Sequence, residues 1–224
     1  MTLIRMAIAG CLLAAGPLAA AETSGFYLGF DVGMSRADID KRELDRAVVD
    51  AFETVGLIVL DGDSRLEEAD GTYGLIAGYR FAPHLALEAQ YLWLGEPNYR
   101  AEGTISDGVF VAPAKTEVEW DSKGAALSAL GIWPLAQQWE LFARAGAYFA
   151  ETSTTVTLSI DGLQARERLS KSTTELLWGV GGTYIAGANW SVRLEYQQVP
   201  DLGDEDRTGE TDVERLNLAW LYRF

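Results

Sequence analysis

The chain has 224 residues, 48% of them hydrophobic, a formal charge of -15 and a single cysteine, Cys11, which bounds it to one compact unit of ordinary size. The acidic balance excludes a nucleic-acid binder, whose phosphate partner needs a basic footprint, and one cysteine excludes a disulfide framework. Beyond the amino-terminal segment no run reaches the roughly 18 apolar residues that a membrane-crossing helix needs.

The chain opens with a basic start ending at Arg5, an apolar stretch from Met6 to Ala15, and small residues at Ala19, Ala20 and Ala21 before Glu22. This is the pattern of a secretory signal peptide, so residues 1–21 are expected to be cleaved and 22–224 to form the mature domain. Cys11 lies inside the segment, and the apolar stretch before it is too short for a lipoprotein anchor. Loss of Arg5, the segment's one charged residue, takes the charge from -15 to -16.

From Phe26 the apolar positions alternate, the signature of strands with one apolar and one polar face. Phe26, Leu28, Phe30, Val32 and Met34 form the first apolar face, and Tyr73, Leu75, Ala77, Tyr79 and Phe81 the second. Three residues, Ala82, Pro83 and His84, separate it from Leu85, Leu87, Ala89, Tyr91 and Trp93, which makes an antiparallel hairpin. A fourth strand, about Ser122 to Trp133, turns Leu127, Ala129, Gly131 and Trp133 outward. The fifth carries Trp139, Leu141, Ala143, Ala145, Ala147 and Phe149; the sixth Leu176, Trp178, Val180, Gly182 and Tyr184; the seventh Trp190, Val192, Leu194 and Tyr196. In the eighth, Leu216, Leu218, Trp220, Tyr222 and Phe224 alternate with Arg215, Asn217 and Arg223.

Ten bulky rings on these faces, five Trp and five Tyr, could not fit inside eight strands, whereas the opposite faces are rich in Gly, Ala and charge. The rings are therefore read as facing lipid and forming two interfacial girdles. The eight steps from Tyr73 to Phe81 cross roughly 20 Å at about 3.3 Å per residue and a tilt near 40°. Only closure into a barrel pairs every backbone group of a sheet in hydrocarbon. The expected fold is an all-β, eight-stranded antiparallel up-and-down transmembrane barrel with long extracellular loops and a short helix in the first of them.

That helix follows from the spacing of Leu44, Ala47, Val48, Ala51, Phe52 and Val55, with Asp38 or Asp40 as cap and Gly56 as stop. Its stripe would rest on the barrel mouth, on a partner, or on its own loops. Asp107-Gly108 and Asp161-Gly162 suit two-residue hairpin turns, so the sheet is expected to rise beyond the membrane as hairpins. The first long connection holds eleven acidic residues against four basic, and the last adds Asp201, Asp204, Glu205, Asp206, Glu210 and Asp212 against Arg207. Without the fixed ligand spacing of a calcium loop they read as a solvated acidic rim, and neither metal nor cofactor is assigned.

The alternating strands and the closing run Trp220, Tyr222 and Phe224 resemble the OmpA-like transmembrane domain and the small OmpX-type and opacity-type surface barrels. The resemblance implies an outer-membrane location after export through the periplasm and contact with outer-membrane lipid and lipopolysaccharide. It also implies assembly by a barrel insertion machinery that reads the terminal aromatic strand. A structural, envelope-integrity or adhesin-like role would then use the extracellular loops to meet a host or cell-surface ligand. The inward charges Asp31, Arg80, Glu88, Glu140, Arg144, Arg193, Glu195, Arg215 and Arg223 should interlock and plug a bore this narrow. The alternatives are a narrow porin passing small solutes or ions and an outer-membrane lipid-modifying enzyme. The second is disfavoured because the one histidine, His84, falls in a turn beside Pro83 without a neighbouring serine.

Overall fold

A computed structural model describes residues 24–37, 39–67, 69–204 and 209–224. Residues 1–21, where a signal peptide is expected, the alternative cap Asp38, and Glu205, Asp206 and Arg207 of the last acidic connection lie outside them. The elements are β1 (Gly25–Ala37), α1 (Lys41–Thr54), β2 (Ile58–Glu67), β3 (Ala69–Ala82), β4 (Leu85–Trp93), β5 (Asn98–Ser106), β6 (Val111–Pro134), β7 (Trp139–Ile160), β8 (Leu163–Ile185), β9 (Trp190–Asp204) and β10 (Gly209–Arg223).

Eight of these strands close a ring in the order β1-β3-β4-β6-β7-β8-β9-β10, every pairing antiparallel, with β10 returning to β1 from Tyr27↔Arg223 to Ala37↔Val213. The terminal residue completes the seam, the Phe224 amide donating to the Phe26 carbonyl at 3.1 Å. The end that carries the chain terminus also carries the short turns at residues 83–84, 135–138 and 186–189, the periplasmic end of such a barrel.

The outward faces match the sequence reading. Phe26 is 67% exposed, Tyr73 54%, Trp133 56% and Leu194 55%, values that only a lipid environment makes economical. Aromatic residues pair in two bands. Phe26 with Tyr79 (4.6 Å), Trp139 with Tyr184 (4.9 Å) and Trp190 with Tyr222 (4.9 Å) lie towards the periplasmic end, while Tyr73 with Trp93 (4.7 Å) and Trp178 with Tyr196 (6.0 Å) lie towards the other.

Several expectations need correction. The fourth strand begins at Val111 rather than near Ser122, because Lys115 to Trp120 runs into the membrane segment with no turn residue between. β7 and β8 likewise extend unbroken to the Asp161-Gly162 turn, so membrane strands and raised hairpins are single strands of 22 to 24 residues. That turn is the expected two-residue one, with Asp161 at φ 48° and Gly162 at φ 81°. The Asp107-Gly108 connection instead spans four residues, 107–110, because the Asp107 carboxylate accepts from the Val109 and Phe110 amides and wraps the loop around itself.

The sheet also gains two strands outside the ring. β5 pairs with the upper half of β6, and β2 with β5, so a five-stranded sheet β2-β5-β6-β7-β8 stands beyond the membrane. The twelve steps from Lys123 to Val111 correspond to about 40 Å of strand at roughly 3.3 Å each, or about 30 Å of height at a 40° tilt.

Helix α1 packs on this raised sheet and not on the barrel mouth. Asp40 caps it, accepting from the Arg42 amide at 2.8 Å, and Gly56 (φ 82°) ends it. Phe52 is buried against Ile105 and Ala114, with Val48, Leu57, Val59 and Leu158 around it. Full burial of a Phe contributes about 1.5–3 kcal/mol, enough to fix one face of a 14-residue helix.

Candidate functional site

Alternation on eight strands sends one side chain in two towards the axis, and eight of the nine inward charges expected to interlock arrive buried there, all but Arg223. At the periplasmic end Arg80 Nη1 grips Glu140 at 2.9 and 3.0 Å, its other nitrogens donating to the carbonyls of Ala82 and Pro83. In the middle, Glu88 accepts from Tyr27 Oη (2.6 Å), Arg193 Nη1 (2.6 Å) and Arg144 Nη2 (2.5 Å). Arg144 Nε lies 2.5 Å from Glu195 Oε1 in an ion pair without a hydrogen bond. Above, Arg144 Nη1 donates to Gln90 Oε1 at 2.5 Å, and Arg215 ties Thr72 (2.9 Å), Gln197 (2.9 Å) and Asp31 together.

Four carboxylates thus face four guanidiniums, Asp31, Glu88, Glu140 and Glu195 against Arg80, Arg144, Arg193 and Arg215. Arg223 sits half-buried at the periplasmic rim. Glycine makes room for this belt. A Cβ on Gly78 would stand 2.2 Å from Tyr27 Cζ, and one on Gly181 2.6 Å from the Phe142 ring, which carries the Arg193 guanidinium 4.6 Å above it.

The bore is filled by apolar layers as well, of which the sequence pattern turns Phe142 and Tyr148 inward while the rest of the interior reads as Gly, Ala and charge. Leu92, Tyr148, Leu177, Val199, Leu202 and Val213 pack above the charged belt, and Leu130, Ile132 and Phe142 pack at the periplasmic end. Leu92, Leu130 and Leu177 are fully buried. Their positions opposite the lipid-facing alternation were the available signal. A cavity of about 30 Å³ beside Tyr27, Arg80, Glu140 and Arg193 has room for little more than one ordered water.

Outside the membrane, Asp45 joins α1 to the raised sheet. Its Oδ1 accepts from Tyr99 Oη (2.7 Å) and Ser64 Oγ (2.6 Å), and its Oδ2 from Lys41 Nζ (3.1 Å), while Lys41 also reaches Ser64. Burial alone would raise the Asp45 carboxyl, but the hydrogen bonds from Ser64, Tyr99 and Lys41 outweigh it and hold the carboxyl below its usual range. Burial, reinforced by that carboxylate, pushes the Tyr99 phenol up. Among the described residues no three of His, Cys, Asp and Glu are grouped to hold a metal ion. His84 is exposed in the turn between β3 and β4, its Nδ1 3.0 Å from the Ile132 carbonyl.

A closed, plugged ring of eight strands with a lipid-facing apolar coat and short turns at one end defines a bacterial outer-membrane β-barrel. Within that class, the model of the OmpA-like transmembrane domain matches residues 21–224, and the chain belongs to that family. It is 27% identical over its whole length to outer membrane protein A of Yersinia pseudotuberculosis. It is 30% identical over 154 residues, 67% of the chain, to outer membrane protein A of Serratia marcescens. The chain spans 55% of the first relative's length and 38% of the second's. Among solved structures it is similar to neisserial surface protein A (13% identity, 90% of this chain and 98% of that one, TM-score 0.48). A second is Ail of Yersinia pestis (14% identity, 90% and 97%, TM-score 0.43). The protein resides in the bacterial outer membrane.

Proposed function

We propose that this barrel is a structural and surface-interaction protein and not a conduit or an enzyme. The observation that carries the reading is the pairing of a bore closed by ion pairs and apolar layers with a sheet raised about 30 Å beyond the membrane on unbroken strands. The closed bore leaves the barrel wall as an anchor in outer-membrane lipid and lipopolysaccharide. The raised sheet and helix are left as the surface that meets a host or cell-surface ligand. His84, on the periplasmic side and beside a backbone carbonyl, has no serine or substrate-facing position that would make it a base. Export by residues 1–21 and recognition of Trp220, Tyr222 and Phe224 by the barrel insertion machinery complete the reading. Of the three, Phe224 is exposed at the seam, free for a transient partner.

Planar-bilayer recording of the purified protein, together with a deletion strain tested for envelope sensitivity and adhesion, examines the proposal. It predicts no large steady conductance and a loss of integrity or adhesion on deletion. A stable open channel would turn the reading towards a narrow porin.

A further inference from the structure

The chain folds a cleft of about 260 Å³ between α1 and the raised sheet, roughly 1.7 times the ~150 Å³ of an engineered apolar cavity that takes up benzene. Register explains why it exists. Val59 faces Ile105, Gly62 faces Gly103 and Ser64 faces Ala101 across β2 and β5, while Gly103 faces Ala114 and Ala101 faces Thr116 across β5 and β6. Gly62, Ala101, Gly103 and Ala114 therefore lie on the helix side of the sheet, and four small residues cannot fill the space under a 14-residue helix. Val48, Val49 and Phe52 form the roof, and Val59 and Ile105 close one end.

The other end is polar, with Asp45, Ser64, Tyr99 and Thr116. A carboxylate offers about four lone-pair sites, and Asp45 uses three, so one donor more can be received there. Lys41 at 3.1 Å already balances its charge, so the carboxylate inside the cleft does not call for a cation. Asp61, Asp63 and Glu102 also border the cleft, though register turns their side chains to the other face of the sheet; Lys115 pairs with Glu102 at 3.0 Å, and the charge of Asp61 and Asp63 opposes an anion.

We propose that this cleft is a binding site for a small, neutral, largely apolar molecule carrying one hydroxyl, of the size of an alkylphenol. Its body lies on the small-residue floor under Val48, Val49 and Phe52, and its hydroxyl donates towards Asp45. The site lies outside the membrane and is separate from the plugged bore, so it is reached from the cell exterior.

The test uses the full mature chain in phosphatidylcholine nanodiscs, titrated calorimetrically with 4-propylphenol against empty nanodiscs. Saturable binding at one site per chain is expected, with propylbenzene several-fold weaker and 4-propylbenzoate at least tenfold weaker. Ala114→Phe from the floor and Val49→Trp from the roof should each weaken 4-propylphenol at least tenfold while heat-modifiable gel migration of the barrel is unchanged. Because either variant could disturb the loop, a photoreactive diazirine analogue of 4-propylphenol is also applied to the unsubstituted chain. It should label residues 41–54 and 98–106, with protection by excess 4-propylphenol. Uptake equal to that of empty nanodiscs, equal or tighter binding of the benzoate, undiminished binding by both filled variants, or labelling confined to the barrel wall would each overturn the proposal.

Discussion

Replacing Glu88 by Ala is the sharpest probe of the bore. The carboxylate is wholly inaccessible and receives three hydrogen bonds, from Tyr27, Arg193 and Arg144, at 2.5–2.6 Å. Bonds to a charged group contribute about 1.5–3 kcal/mol each, so the gross loss is roughly 4.5–9 kcal/mol. Glu195 stays beside Arg144 at 2.5 Å and takes over part of its charge, and breaking one partner of a buried pair costs about 3–5 kcal/mol in practice. The expected destabilisation is therefore about 3–5 kcal/mol, a fall of roughly 10²- to 10³·⁵-fold in the folding equilibrium constant. Urea unfolding in lipid vesicles, followed by tryptophan fluorescence, measures it, and the midpoint of heat-modifiable migration gives a second readout. A loss below about 1 kcal/mol would refute the reasoning, since it would mean that the two guanidiniums are solvated and the bore is wet. Adding Arg193→Met to Glu88→Leu should recover part of the loss, because it is the stranded charge that costs most.

Gly78→Ala places a methyl 2.2 Å from the Tyr27 ring and should displace Tyr27 from Glu88. Overpacking of about 1–3 kcal/mol is expected in the same unfolding assay, with much less for Gly71→Ala, where a Cβ meets nothing within 4 Å. Gly162→Val puts a β-branched residue at φ 81° and should open the β7–β8 tip, seen as faster surface protease cleavage near 161–162 with barrel migration unchanged. The Asp45 carboxyl is depressed below its ordinary value of 3.8, so its contribution to helix docking is fully present above that value and is lost as pH falls through the lower folded-state value. Protease susceptibility of residues 41–54 should therefore rise only in strongly acidic buffer, and Asp45→Asn should show that susceptibility already at neutral pH. Deleting Phe224 should lower the yield of inserted barrel in cells more than the stability of barrel refolded in detergent, as pulse-chase assembly measures.

The ring could be read from the chain because lipid imposes one rule on every strand: apolar residues face out at every second position and the backbone must close. Tyr73 to Phe81 and Leu216 to Phe224 obey that rule so strictly that facing and order followed without a structure. Outside the lipid the rule lapses. In β2 the run Asp61-Gly62-Asp63-Ser64 has the composition of a turn, yet it pairs in register with Ala101 to Thr104 because β5 offers an open edge and α1 covers one face. That is a tertiary cause, invisible to a local pattern.

The bore was half visible for a related reason. Charge inside a membrane protein advertises itself, and the eight buried ionic residues stood out from their apolar neighbours on sight. Leu92, Leu130 and Leu177 face the same way yet look like any other apolar residue, and only the parity of their strands assigns them to the axis. Parity counted from the lipid face thus carries more information than composition. Register carries the same alternation to the floor of the α1 cleft, where Gly62, Ala101 and Gly103 share a face. The plug and the cleft arise from the same alternation: large inward residues fill the narrow ring, and small ones, on β2, β5 and the raised part of β6, keep the space beneath the helix open.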